Sequence, residues 1–173
     1  MLPYNRNLEL TFNEKDLRVI YLAGGCFWGT DAYMARVVGV AHTESGYANG
    51  EASLPITYEE VYTDETGYAE VVKVTYDTTK VTLTTILEEF FSITNPTTLN
   101  QQADDVGTRY RSGIYYVDVA DVDTIRSVLA EVATKFAEPI VTEVEPLKNY
   151  QPAEEYHQDY LEKNPDGYCH VVF

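Results

Sequence analysis

The apolar run within Leu17–Ala23 ends at Gly24-Gly25, and the apolar residues beyond it change their period. Consecutive apolar side chains fit a buried strand, and a glycine pair fits the tight turn that stops it. Ala32, Met34, Ala35, Val37 and Val38 follow as an apolar stripe. They predict a helix from Cys26 or Phe27 to about Val38, closed by Gly39. A strand feeding a helix in this way needs a sheet to lie on, because neither element buries its apolar side alone.

Val40–Leu54 is rich in Gly, Ser and Asn and reads as a loop. Ile56–Tyr62 and Ala69–Tyr76 read as strands joined by Asp64-Glu65-Thr66-Gly67, an expected antiparallel hairpin. Leu83, Ile86, Leu87, Phe90 and Phe91 predict a second helix ending near Asn95-Pro96. Ser112–Val119 reads as a strand, and Val122 to Phe136 as a third helix with Asp121 at its N-cap. Ile140–Val144 reads as a last strand. The order β-α-β-β-α-β, then α-β, predicts an α+β fold. Its core is expected to be a split βαβ (ferredoxin-like) arrangement with a mixed sheet, helices packed against it and a long ordered C-terminal tail.

Twelve basic and 28 acidic residues leave a formal net charge of −16. That balance argues against nucleic acid and anionic membrane as partners, which reward a basic face. No apolar run is long enough to span a membrane, and the opening MLPYNRNLELTFNEKD has no apolar core of a signal peptide. A cytoplasmic location is therefore expected. Two cysteines in such a compartment are core residues, a metal pair or redox chemistry rather than a structural staple. Three histidines with no close Cys/His cluster argue against a closed zinc site.

Gly24-Gly25-Cys26-Phe27-Trp28-Gly29 places a cysteine at a helix start, where backbone N–H groups and the helix dipole stabilise a thiolate. A buried core residue is the other fate open to Cys26. Phe27 and Trp28 cannot both face one core, so at least one is expected to line a pocket. Cys169 lies near the chain end within Asn164–His170, in a tail able to reach a distant partner. A low-pKa thiol with a second, resolving thiol is the pattern of a peroxide- or sulfoxide-type redox cycle; an incidental surface thiol is the alternative. Glu70 shares a strand face with Val72, Val74 and Tyr76, and a carboxylate there needs a reason. Tyr47 sits on the Gly-rich stretch Ser45–Gly50, where a hydroxyl can reach a ligand oxygen; Tyr110, Tyr150, Tyr156 and Tyr160 lie in other loops. Asp104-Asp105 does not match a calcium loop. His42, His157 and His170 are candidates to pair with Cys26 in a cysteine-hydrolase dyad, though no local signature supports one.

At these residues the chain resembles the A-type peptide methionine sulfoxide reductases. The blocks are Gly24–Gly29 (GGCFWG), Gly46–Gly50 (GYANG), Thr66–Val71 (TGYAEV), Asn95–Arg111 (NPTTLNQQADDVGTRYR) and Ala153–Cys169 (AEEYHQDYLEKNPDGYC). The resemblance implies a single catalytic domain over residues 1–173, with an N-terminal extension at 1–16 and a tail at 145–173 carrying the resolving cysteine. It implies reduction of the S epimer of methionine sulfoxide, free or in proteins, in the repair of oxidised proteins under oxidative stress. By the same resemblance Cys26 is the nucleophile, Phe27 and Trp28 cage the substrate methyl, and Glu70 is the acid. Tyr47 and Tyr110 supply hydroxyls to the sulfoxide oxygen, Asp105 is a site carboxylate and Cys169 the recycling cysteine. It implies no cofactor and no metal, an external dithiol such as thioredoxin or dithiothreitol as reductant, and a monomer.

Residue chemistry agrees with those implied roles. A sulfoxide is a poor electrophile until its oxygen is protonated, and an acid on an apolar strand face keeps its proton through desolvation. The chain departs from the family pattern at Tyr68, where His is common, at Asp104, where Asn is common, and at Ala103, where Gly is common. A non-catalytic module binding methionine sulfoxide or methionine-rich peptides, and a Cys26-dependent hydrolase, are the competing readings.

Overall fold

Strand β1 (Leu17–Gly24) lies inside a six-stranded sheet and feeds α1 (Phe27–Met34) in a computed structural model describing residues 1–173. The chain continues through β2 (Val40–Ala48), α2 (Tyr58–Tyr62), β3 (Ala69–Asp77) and α3 (Leu83–Ile93). A two-stranded hairpin, β4 (Gln101–Gln102) and β5 (Asp105–Val106), precedes β6 (Ser112–Tyr116) and α4 (Val122–Ala133). Then come β7 (Glu143–Pro146), β8 (Gln151–Pro152) and α5 (Tyr160–Lys163). The large sheet runs β7-β6-β1-β3-β2-β8. Its four inner strands, β6-β1-β3-β2, are antiparallel at every junction, the expected split βαβ core. β7 joins parallel to β6, which makes the sheet mixed, and β8 joins antiparallel to β2.

Alternation along the strands divides the sheet into two faces. Ile20, Leu22, Val72, Val74 and Ile114 pack with Phe27 and Met34 of α1, Ile86, Leu87 and Phe90 of α3, and Ile125 and Val128 of α4. Tyr21, Ala23, Ala69, Val71 and Tyr115 form a smaller cluster on the other face, covered by Leu147 and Tyr150. Glu70 falls on the helix-covered side, as its spacing from Val72 requires.

Two segments differ from their sequence reading. Val40–Leu54 is not a loop: its first nine residues are β2, paired with β3 from Val40↔Tyr76 to Ala48↔Ala69. The small residues that suggested a loop serve close approach instead. A side chain at Gly46 would run into the Tyr150 ring and the Gln151 carbonyl, and one at Gly50 into the Tyr68 ring. Ile56–Tyr62 is not a strand and forms no hairpin with Ala69–Tyr76, because β2 takes that edge of β3. Its C-terminal part is α2, started by the Thr57 hydroxyl accepting from the Glu60 N–H, a capping signature that outweighs the β-rich composition.

Smaller differences concern ends. α1 stops at Met34 rather than Val38, since Asn7 from the N-terminal extension donates to the carbonyls of Ala35 and Val37 and accepts from the Gly39 N–H. The strand expected to reach Val119 ends at Tyr116, and the last strand is Glu143–Pro146 rather than Ile140–Val144. The third helix ends at Ala133, and Asp121 makes no side-chain cap bond; Asp118 caps the turn before it by accepting from Ala120 N–H.

A methyl group at position 46 has only the fixed Gln151 backbone and the Tyr150 ring to displace. Gly46→Ala is therefore expected to destabilise the fold by about 2 kcal/mol, lowering the thermal midpoint by several degrees in a calorimetric melt.

Candidate active site

Gly25 turns the chain at φ +84°, a backbone region open to glycine, and delivers Cys26 to the N-cap of α1. Cys26 is a free thiol only 7% exposed. Opposite it, β3 brings Glu70, 1% exposed, with the Phe27 N–H donating to Glu70 Oε1 at 3.2 Å. One free N–H of the helix start is thus spent on the carboxyl, not on an external anion.

Burial, opposed by the Phe27 N–H and the Arg109 charge, raises the Glu70 pKa to about 8, so its carboxyl holds a proton at neutral pH. The Cys26 thiol is also pushed up, by burial first and by the Glu70 charge second, against a lowering bond from the Trp28 N–H. This corrects the expectation that the helix start leaves Cys26 a ready thiolate. Desolvation costs several kcal/mol, whereas a helix terminus supplies about 0.3–1 kcal/mol.

The expected site residues separate into two groups. Tyr110, on the turn Thr108–Tyr110, is buried, and burial first, then the proximity of Glu70 and Cys26, raises the pKa of its hydroxyl. Asp105, on β5, faces the same pair, and its carboxylate accepts from the Tyr168 hydroxyl at 3.0 Å. Tyr47 pairs with Glu70 across β2 and β3, but its hydroxyl is committed to Glu154 at 2.8 Å. Tyr58 of α2 is, with Tyr110, a tyrosine near both Glu70 and Cys26, and its N–H donates to the other Glu154 oxygen at 3.0 Å. Sequence reasoning missed Tyr58 by placing it on a strand.

Phe27 is buried against Tyr47 and His157, with ring centroids 5.8 and 5.1 Å away. Trp28 is half-buried, stacks on Tyr160 at 3.7 Å and donates its indole N–H to His157 Nδ1 at 3.0 Å. Thus Phe27 is buried against the same His157 ring that Trp28 holds, and Trp28 belongs to an aromatic wall with His157, Tyr160 and Tyr58.

The tail packs over the first turn of α1. The carbonyl of Gly24 pairs with His170 Nε2 at 3.2 Å, and Cys169 Sγ lies where a Gly29 side chain would be, beside Val171.

None of the three histidines is hydrogen-bonded to Cys26: His42 is exposed on β2, His157 holds Trp28 and His170 holds Gly24. No group of three or more His, Cys, Asp or Glu side chains gathers as a metal site. Ala103 turns the β4–β5 hairpin at φ +50°, the left-handed region where glycine is at ease. Tyr68 donates to the Ala52 carbonyl at 2.6 Å and leaves Glu70 unbonded on that side.

Because folded Glu70 holds its proton to about pH 8 and the unfolded carboxyl to about 4.5, unfolding releases a proton between those values. Stability from this group is complete below the unfolded value and declines as pH rises through the folded one. Glu70→Gln is expected to gain stability over the parent on going from pH 5 to pH 8.5, on the order of 3 kcal/mol, in urea titrations.

Comparison with known proteins bears on this arrangement. The family model described as peptide methionine sulfoxide reductase matches residues 18–173. The peptide methionine sulfoxide reductase MsrA of Clostridium perfringens is 50% identical over 155 residues, covering 90% of this chain and 98% of the relative. The crystal structure of Mxr1 from Saccharomyces cerevisiae in reduced form superposes with a TM-score of 0.88 at 37% identity, covering 94% of this chain and 95% of that one. Mxr1 in complex with Trx2 superposes with a TM-score of 0.62 at 29% identity, covering 87% and 89%. A thiol and a protonated carboxyl buried together, on this fold and at this identity, have one reading: the chain belongs to the peptide methionine sulfoxide reductase family, as an enzyme of the MsrA type.

Proposed function

We propose that residues 1–173 act as one catalytic domain that reduces the S epimer of methionine sulfoxide, free or in proteins, with Cys26 as nucleophile and Glu70 as acid. The observation that carries this reading is the juxtaposition of two buried, protonated groups, the Cys26 thiol and the Glu70 carboxyl, at the Phe27 N–H. Glu70 gives its proton to the sulfoxide oxygen, which makes the sulfur electrophilic, and its carboxylate then takes the Cys26 proton. The thiolate attacks that sulfur and forms a Cys26 Sγ–S bond; the hydroxyl oxygen then passes to Cys26 Sγ as its bond to the substrate sulfur and the Sγ–S bond both break. Substrate sulfur gains two electrons, Cys26 loses two, and methionine leaves with Cys26 as a sulfenic acid.

Tyr58 and Tyr110 are the hydroxyls assigned to the oxygen, since both feel Glu70 and Cys26. Tyr47 acts through Glu154, which orients α2. Phe27 and Trp28 cage the methyl group, and Asp105, once Tyr168 lets go, is free to accept a substrate N–H.

Cys169, already packed at Gly29, attacks the sulfenic sulfur; a disulfide forms and water leaves. A thioredoxin-class dithiol then reduces the disulfide, a step supported by the solved complex of the yeast relative with Trx2. The enzyme works as a cytoplasmic monomer with no prosthetic group.

Reduction of separated epimers of a methionine sulfoxide peptide by dithiothreitol, followed chromatographically, tests the reading: the S epimer alone should disappear. Loss of neither would remove Cys26 from this chemistry. Cys26→Ser should be inactive, and Glu70→Gln should lower kcat by roughly a hundredfold or more. Cys169→Ser should release about one methionine per enzyme with thioredoxin and then stall. Sustained thioredoxin-driven turnover in that variant would contradict the relay.

A further inference from the structure

Arg109 is a buried cation at the edge of the site. Its guanidinium lies 4.2 Å from the ring centroids of both Tyr62 and Tyr110, sandwiched between them, and its Nη1 is paired with the Asp64 carboxylate. The same carboxylate accepts from the Arg109 N–H at 3.0 Å and from the Thr108 hydroxyl at 3.3 Å. Asp64 itself stands at φ +61°, a conformation costly for a residue other than glycine, and it is held there by these bonds. Gly107, at φ +146°, is bare where the pair forms: a side chain there would collide with both the Asp64 carboxylate and Arg109 Nη1.

The pair joins two segments that meet nowhere in sequence. Asp64 follows α2, which carries Tyr58 and Tyr62; Arg109 sits on the turn that carries Tyr110. We propose that the Arg109–Asp64 pair is a positioning device for the reduction step, locking the Tyr58 and Tyr110 segments around Cys26 and placing a cation where it balances the acid. This rests on Glu70 being that acid.

The groups facing Glu70 are Cys26 from the start of α1, Tyr47 from β2, Tyr58 from α2, Asp64 from the loop after it, Asp105 from β5, and Arg109 and Tyr110 from the turn. Arg109 favours the ionised carboxylate, whereas Asp64 and Asp105 favour the protonated acid. Removing Arg109 must therefore let Glu70 keep its proton to higher pH, and removing the Asp64 charge must do the reverse. Lysine keeps the charge but cannot fill a planar slot between two rings. A purely structural ion pair predicts no such opposition in sign.

The test is the pH dependence of kcat and kcat/KM between pH 6 and 10, with dithiothreitol and a peptide carrying the S epimer of methionine sulfoxide. Arg109→Gln should lower kcat roughly tenfold and move the alkaline limb up by about half a pH unit. Asp64→Asn should also lower kcat but move that limb down. Arg109→Lys should lower kcat with the limb left in place. Limbs that stay fixed, or move the same way in the Gln and Asn variants, overturn the proposal. If Arg109→Gln does not fold, Asp64→Asn decides alone: a limb that falls with reduced kcat supports it, and any other outcome overturns it. Glu70→Gln, run in parallel, separates the two assignments. Parental kcat there removes Glu70 as the acid, whereas an inactive Glu70→Gln with limbs that do not part refutes only the role of Arg109.

Discussion

Everything at this site depends on the burial of one carboxyl. Glu70 is placed by the alternation of β3 on the face that α1 covers, between strands that deny it water. A charge in that position is costly, and one backbone N–H does not repay the cost, so the proton stays. The same exclusion of water raises the neighbouring thiol. Carboxyl and thiol are therefore stored together in their neutral forms, and neither imposes an uncompensated charge on the fold. In the proposed mechanism the chemistry begins when a polarised S=O arrives to draw a proton across.

The tail and the β4–β5 hairpin complete the enclosure from outside the sheet. Three small contacts hold the tail: Tyr168 on Asp105, His170 on the Gly24 carbonyl, and Cys169 with Val171 on the bare surface of Gly29. Gly29 matters here because the first turn of α1 has no side chain to hold the second sulfur away. In the proposed reaction a substrate backbone that reaches Asp105 displaces Tyr168, which lies on the same segment as Cys169. The aromatic wall built on Trp28, His157 and Tyr160 ties the tail's earlier part to the helix.

Much of the framework was legible because it rests on local signals. The apolar run of β1, the glycine turn and the period of α3 are each set within a few residues, and the lone carboxylate among Val72, Val74 and Tyr76 marked β3 as unusual. The errors came where a distant partner overrode local composition. Val40–Ala48 is too rich in small polar residues to look like a strand, yet it is one, because Tyr150 and Tyr68 need the space that Gly46 and Gly50 leave. Tyr58 differs in kind: the Thr57 cap that starts its helix is itself local, but the β-rich composition of Ile56–Tyr62 masks it. Tyr47 was favoured for its glycine-rich setting, and Glu154, a hundred residues away in sequence, claims its hydroxyl.

By itself, then, the sequence determined the α+β class and the split βαβ core, together with a carboxylate out of place on an apolar strand face and two cysteines far apart in the chain, since these depend on near-neighbour pattern and residue chemistry. Only the tertiary structure decided the burial of Cys26 beside Glu70, the commitment of the Tyr47 hydroxyl to Glu154, and the clamp between Asp64 and Arg109. Each of those is a balance of desolvation against contacts from separate segments, and that balance exists only once the segments have been folded against one another.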